Sequence, residues 1–250
     1  MQAIFICSVL LAVPLPSRLI DKAAGMGNLC SLIKNGHDNM SDLAKAKFNM
    51  IEQQIRPWEV LDPQVLDVFH QLDRDRFVPE QYKGLAYADC QLPVCKGETM
   101  LPPIVEGRML QALKLQPGDS VLQIGTAGGY VTACLAMLTQ QVLGVDFQVE
   151  ATELTRDNLS TQGIHNVELH TIASLDDIIH KERYDVIAVC AGSLHEIPDN
   201  LEQALAIGGR LFAVTGHSPA KHAQLMTRVS QTEWVVDNLF ETDIPDLAHL

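Results

Sequence analysis

Apolar residues recur three and four positions apart over the stretch that contains Leu43, Ala46 and Met50, and again over Val65, Leu66 and Phe69. That period predicts two helices, Ser41 to Ile55 and Asp62 to Leu72. Beyond Pro79 regularity is lost until Pro103, after which Ile104, Val105, Met109, Leu110 and Leu113 predict another helix, closing near Pro117-Gly118-Asp119. From Ser120 the period changes. Short apolar runs at Ser120 to Ile124, Gln141 to Val145, Val167 to Ile172, Tyr184 to Val189 and Arg210 to Thr215 read as strands. Tyr130 to Leu138, Val149 to Leu159 and Pro198 to Ala206 read as the helices between them, with Gly208-Gly209 as a helix stop. Two strand-like runs, Gln224 to Arg228 and Glu233 to Glu241, flank Ser230-Gln231-Thr232 and predict a terminal antiparallel pair.

Strands alternating with helices imply crossover connections. The expected fold is therefore α/β: a Rossmann-like, doubly wound, mostly parallel sheet with N-terminal helices and a C-terminal antiparallel strand pair. Ligands of such sheets bind at the carboxyl ends of the strands. Residues 1 to 39 differ in kind. An apolar run from Ala3 to Leu15, broken by Pro14, drifts into a glycine- and asparagine-containing stretch without periodicity. It is too short to span a bilayer, and no Lys or Arg precedes it as in a secretory signal. It is expected to be a poorly ordered or non-native extension, with Met40 as a natural start and residues 40 to 250 as the functional domain.

Composition narrows the partners. With 18 Lys and Arg against 31 Asp and Glu, the 250-residue chain carries a net charge of -13, which repels a phosphate backbone. No nucleic-acid or membrane partner is expected. The six cysteines form no C-x-x-C, and no histidine pair has metal-ligand spacing, so no metal site is expected and the thiols suit a reducing cytoplasm. Cys190, on a buried strand, reads as core rather than nucleophile.

Candidate chemistry concentrates in Val121 to Tyr130, a strand running through Gly125-Thr126-Ala127-Gly128-Gly129 into a helix. A dinucleotide fingerprint needs G-x-G-x-x-G, and Ala127 stands at its second glycine; a P-loop needs a lysine that is absent. Asp146 follows Gly125 by about 20 residues, the spacing at which an acid meets ribose hydroxyls. It could equally cap the next helix. Together the turn and the acid favour an adenosine-containing ligand without a diphosphate.

At this point the sequence resembles the protein-L-isoaspartate O-methyltransferases, a family that uses S-adenosyl-L-methionine. The resemblance runs from about Met50 to the C-terminus. Asp75-Arg76-Phe77-Val78-Pro79, Leu85-Ala86-Tyr87-Ala88-Asp89, Leu92-Pro93-Val94 and Gly97-Glu98-Thr99-Met100-Leu101-Pro102-Pro103 follow the family's N-terminal stretch in order. Val121 to Tyr130 resembles VLEIGTGSGY, Val189 to Pro198 the segment ending in PEIP, and Gly208-Gly209-Arg210-Leu211 the family's GGRL. The chain also departs from the family. Leu101 stands where the family carries an active-site serine, Gln123 where it has glutamate, and Ala173-Ser174 where it has Gly-Asp.

What the resemblance implies is methyl transfer to the free carboxylate of isoaspartyl residues in damaged proteins or peptides, by a cytoplasmic monomer or weak dimer. The alternative is a divergent member that binds the cofactor but has lost this activity or methylates another acceptor. Cofactor contacts are expected from Gln123, Gly125, Thr126, Ala127, Gly128, Tyr130, Asp146, Phe147, Ala173 and Ser174. Leu101 occupies the catalytic serine's position, and Thr99, Met100, Pro103 and His195 are the expected substrate contacts. His195 could equally face solvent, and Arg56 either reaches the site or anchors the first helix. An isoaspartyl carboxyl is already ionised at neutral pH, so the reaction needs alignment rather than a base.

Overall fold

The computed structural model describes residues 41–95, 97–179 and 183–247; the expected extension, residues 1 to 39, lies outside them. The stretch read as one first helix is α1 (Asp42–Asn49), continued by a π-helical segment over Met50–Ile55 and a 3-10 turn over Arg56–Trp58. α1 buries no residue, whereas Met50, Ile51 and Ile55 are all in the core. Hydrogen bonds from i to i+5 bring Met50 and Ile55 to one side, so the change of winding coincides with the start of burial. In α2 (Pro63–Gln71) the Asp62 side chain accepts the Gln64 N–H and Pro63 opens the first turn.

The irregular region beyond Pro79 contains a hairpin that the pattern did not signal. β1 (Leu92–Cys95) pairs antiparallel with β2 (Glu98–Met100), with Leu92 opposite Met100 and Pro93 opposite Thr99. Its strands are short, and a proline in one of them reads as a break, yet an edge strand tolerates it. α3 (Pro103–Leu113) follows, ending at left-handed Lys114. The remaining elements are β3 (Ser120–Ile124), α4 (Tyr130–Leu138), β4 (Gln141–Asp146), α5 (Val149–Thr161), β5 (Val167–Thr171), α6 (Asp176–Ile179), β6 (Tyr184–Val189), α7 (Asp199–Ala204), β7 (Leu205–His217), β8 (Ala220–Arg228) and β9 (Trp234–Thr242).

Seven strands form one sheet in the order β5-β4-β3-β6-β7-β8-β9, parallel as far as β7 and antiparallel thereafter. Alternate residues of the central strands feed two cores: Val121, Val186 and Ala188 on one face, Leu122, Ile124, Ile187 and Val189 on the other. Burial on both faces is why these strands read as continuous apolar runs. One expectation is corrected. The helix ends at Ala204, not Ala206, and Gly208-Gly209 lies inside β7 rather than stopping a helix. Leu205 is already extended and pairs with Tyr184, while Arg210 pairs with Val186, so the glycines occupy a bulge. A Cβ on Gly209 would lie 2.9 Å from the Ala206 carbonyl oxygen, which explains the residue without a helix cap.

The segments of the N-terminal layer are joined to one another by a buried ion pair. Arg74, fully buried, donates to Glu106 from Nε at 3.1 Å and from Nη2 at 3.0 Å, to the Ala86 carbonyl at 2.8 Å and to the Leu101 carbonyl at 2.5 Å. Its guanidinium sits 5.4 Å from the centre of the Tyr130 ring. Burial pushes the Glu106 carboxyl above the ordinary carboxylate range, against the pull of Arg74.

Between β3 and α4 the backbone is left-handed at Gly125, Ala127, Gly128 and Gly129, and Ala127 is the residue there that carries a side chain, at φ 41°. Two consequences are measurable by urea denaturation. Arg74→Met strands Glu106 and should lower the unfolding free energy by about 3–5 kcal/mol, most of which the double variant with Glu106→Leu should recover. An equal loss in the double variant would assign the effect to the carbonyl bonds instead. Ala127→Gly should raise stability by about 0.5–1 kcal/mol, because the relief of the left-handed strain exceeds the added chain entropy.

Candidate active site

The strand order reverses between β3 and β6, and at that point the two strand ends almost touch. Cys190 and Ala191 donate their N–H groups to the Ile124 carbonyl at 2.7 and 3.1 Å. A Cβ on Gly125 would lie 2.3 Å from that of Ala191, so only glycine fits this crossing. A crevice at such a switch point is where open parallel sheets take their ligands.

Asp146 ends β4 beside the turn and is 1% exposed. Its Oδ2 accepts from the Thr126 N–H at 2.8 Å and the Thr126 hydroxyl at 2.9 Å, and Thr155 in α5 donates to that same hydroxyl at 2.9 Å. Oδ1 accepts from the Gln148 N–H at 3.2 Å. Asp146 thus organises both the turn and the start of α5, and keeps acceptor capacity on Oδ1. Asn158 donates to the Gly128 carbonyl at 2.8 Å, and Gln123 to that of Gly125 at 2.9 Å. Gln123 Oε1 is buried without a hydrogen-bond partner. Tyr130 is turned into the core, with Phe69 stacked at 6.3 Å and Phe77 edge-on at 5.5 Å. Phe147 is half-buried. The Ala173 and Ser174 N–H groups both donate to Asp177 at 3.0 Å, and Asp176 accepts from Asn200, so both acids are engaged locally.

On the other side of the crevice the β1–β2 hairpin lies over the segment after Asp146: Gln148 Nε2 donates to Glu98 Oε1 at 3.1 Å. A cavity of about 70 Å³ opens here, bounded by Glu98, Thr99, Leu101, Cys190, Ala191 and Gly192. A strap over Ile244–Leu247 closes it. Ser193 donates its N–H to the Pro245 carbonyl and accepts that of Leu247, at 2.8 and 2.9 Å. The buried Lys221 ammonium donates to the Ile244 carbonyl at 2.5 Å and to Asp246 at 2.8 Å. The bond from Lys221, then that from Ser193, holds the Asp246 carboxyl below its usual range.

Of the expected acceptor-side residues, Thr99 and Leu101 line this cavity; Met100 lines a smaller one beneath the turn, and Pro103 is buried at the start of α3. His195 is exposed, with its Nδ1 3.1 Å from that of His217. Arg56 pairs with Glu52 on the surface. Burial pushes the Cys190 thiol up, so it serves as apolar wall. No group of three or more His, Cys, Asp or Glu able to hold a metal occurs among the described residues.

Glu98, Lys221 and Asp246 were not singled out from sequence. For Glu98 the signal existed, an acid within the otherwise uncharged stretch from Gly97 to Leu101. Its burial, then the negative field of Asp146, raises its carboxyl to about 7. The crevice fits S-adenosylmethionine chemically. Small residues border it, a buried carboxylate ends β4 beside the turn, and an unpartnered amide oxygen lies beneath it.

The sequence profile described as Protein-L-isoaspartate(D-aspartate) O-methyltransferase (PCMT) matches residues 45–243. Protein-L-isoaspartate O-methyltransferase 1 of Rhodopseudomonas palustris (strain HaA2) is 34% identical over 195 residues, covering 78% of each chain. The protein-L-isoaspartate O-methyltransferase of Koribacter versatilis (strain Ellin345) is 33% identical over 190 residues, covering 76% of this chain and 85% of its own. A Plasmodium falciparum crystal structure assigned to the same activity, in complex with S-adenosyl-L-homocysteine, superposes with a TM-score of 0.68 at 19% identity, covering 81% of this chain and 98% of that one. Because the match covers most of the chain and takes in the hairpin and the glycine turn together, the chain belongs to the protein-L-isoaspartate(D-aspartate) O-methyltransferase family.

Proposed function

We propose that this chain transfers the methyl group of S-adenosylmethionine to the free carboxylate of isoaspartyl residues in damaged proteins, with the acceptor seated in the cavity between hairpin and strap. The observation that carries the reading is the place of that cavity: it shares Leu101 and Cys190 with the walls of the glycine turn and opens at the switch point. The turn from Gly125 to Gly129 and Asp146 hold the nucleoside, with Phe147, Ala173 and Ser174 at its rim. When bound, the cofactor supplies an electrophilic methyl group on a sulfonium. Thr99 and the backbone of the hairpin orient the acceptor, while Leu101, Cys190 and Ala191 exclude water. The acceptor carboxylate is ionised, and no base has to remove a proton from it. Orientation of two bound reactants can supply roughly 7–11 kcal/mol, so a leucine at the serine position leaves the largest contribution in place.

The net charge of -13 favours a protein acceptor over nucleic acid. No helix among the described residues is long and apolar enough to cross a membrane. A cytoplasmic monomer or weak dimer completes the proposal.

Calorimetric titration of S-adenosylhomocysteine and radiolabelled transfer to an isoaspartyl peptide test the reading together. Turnover should stand well above that of a Gly125→Ala/Asp146→Ala double variant; saturable binding without transfer would instead identify a divergent binder. Asp146→Ala alone should weaken S-adenosylhomocysteine binding by about 1.5–3 kcal/mol and lower the Tm, since it also frees the buried Thr126 N–H. Unchanged affinity in the folded variant would remove Asp146 from the site.

A further inference from the structure

The acceptor cavity has an unusual charge inventory for a pocket that takes an anion. Among the described residues lining it there is no Lys, Arg or His, while Glu98 and Asp246 both face it. Asp246 is committed to Lys221 and Ser193. Glu98 is 7% exposed, with Oε1 on Gln148, and among the described residues no hydrogen bond reaches its Oε2. An unengaged oxygen of a largely buried side chain on a cavity wall, beside a leucine that offers no hydroxyl, is within reach of an incoming carboxylate alongside Thr99.

We propose that Glu98 is the acceptor-binding side chain of this enzyme, donating a hydrogen bond from its carboxyl to one oxygen of the isoaspartyl carboxylate and leaving the other oxygen free to take the methyl group. The assignment rests on the reading of the cavity as the acceptor subsite. A protonated carboxyl carries one O–H donor, and two carboxyl groups can share a site only when one of them is neutral. Burial and the proximity of Asp146 hold Glu98 at about 7, so the donating form is present below that value and is lost as pH rises through it. Among the groups around it, Asp146 at the end of β4 carries the negative charge, the Cys95 thiol on β1 is pushed up to about 11 and stays neutral, Gln148 is neutral, and Asp246 on the strap is paired with Lys221. Ionised Glu98 would therefore face the acceptor with a like charge and no described cation between them.

In the reaction an acceptor oxygen forms a bond to the methyl carbon, the carbon–sulfur bond breaks, and its electron pair stays on sulfur. No proton is transferred, and Glu98 ends as it began. Its contribution is to hold the acceptor, so the effect falls on KM more than on kcat. The acceptor carboxyl is ionised throughout the relevant range, which leaves Glu98 as the group that titrates.

The test is the pH profile of kcat and KM for isoaspartyl peptide methylation, from about pH 6 to about pH 8.5, in wild type, Glu98→Gln and Glu98→Leu. Binding of S-adenosylhomocysteine verifies that each variant is folded. Wild-type KM should rise roughly tenfold per pH unit above about 7, because the donating form falls off at that rate. Glu98→Gln keeps an N–H donor without titrating, so its KM should be flat over the same range, and Glu98→Leu should raise KM about 10-fold or more below about pH 7, a difference that shrinks as pH rises and wild type loses its donor. Coincident wild-type and Glu98→Gln profiles, or an unchanged KM in Glu98→Leu, would overturn the assignment of Glu98 alone. Absence of transfer by all three proteins, with S-adenosylhomocysteine still bound, would overturn the acceptor reading beneath it.

Discussion

The pairing of Arg74 with Glu106 is the constraint on which the active-site geometry depends, because a single guanidinium bonds segments that share no sheet. Its donors reach α3 through Glu106, the loop at Ala86 and the exit of the hairpin at Leu101, and its face lies against Tyr130 at the start of α4. Desolvating two charges is expensive, and a buried pair of this kind is weak evidence for stability. What the pair provides here is position. The Leu101 carbonyl and the helix that follows the glycine turn are both referred to one rigid fork, so the hairpin cannot slide along the crevice without uncovering a buried charge.

A second buried cation does the same for the opposite wall. Lys221 lies on β8, outside the parallel part of the sheet, yet its ammonium reaches the strap at Ile244 and Asp246. The strap runs beside Ser193, one residue beyond Gly192, where a Cβ would lie 2.8 Å from the Leu247 nitrogen. That close approach explains why the antiparallel strands belong to the catalytic unit. They return the chain to the strand ends and set the depth of the cavity. Two walls, each tied by a cation to backbone carbonyls, leave the glycine turn between them.

The alternating strands and helices were legible in the sequence because burial on both faces of a parallel sheet leaves apolar runs that periodicity detects. Where reading failed, local and tertiary signals disagreed. Gly208-Gly209 carries the local chemistry of a helix stop, but the residues before it already pair with β6, and the glycines absorb a bulge. The hairpin at Leu92 is short and interrupted by Pro93, so neither period applies. Asp146 was identified by spacing, and its position on the strand end is as expected; that its carboxylate is largely occupied by Thr126 depends on a turn conformation that spacing does not encode. Lys221 was invisible for a related reason. A lysine beginning an exposed-looking terminal strand gives no sign that it is buried until the strap crosses it.

The chemistry of methyl transfer bears on a leucine in this cavity. Transfer of a methyl group from a sulfonium to a carboxylate consumes one positive and one negative charge and yields two uncharged products. Water stabilises the separated charges more than the transition state in which they are partly cancelled, so a pocket that excludes it disfavours the starting state. Leu101 is 6% exposed and sits with Cys190 on the wall, where a hydroxyl would add an orienting bond but also a group that binds water. Replacing orientation by dryness changes which part of the barrier the protein lowers. The requirement that remains is a donor that can hold an anion without bringing a fixed positive charge, since a cation bound to the carboxylate would draw electron density away from the attacking oxygen. A neutral hydrogen-bond donor meets it, and burial, then the field of Asp146, raises the Glu98 carboxyl to about 7, so that form is available below that value.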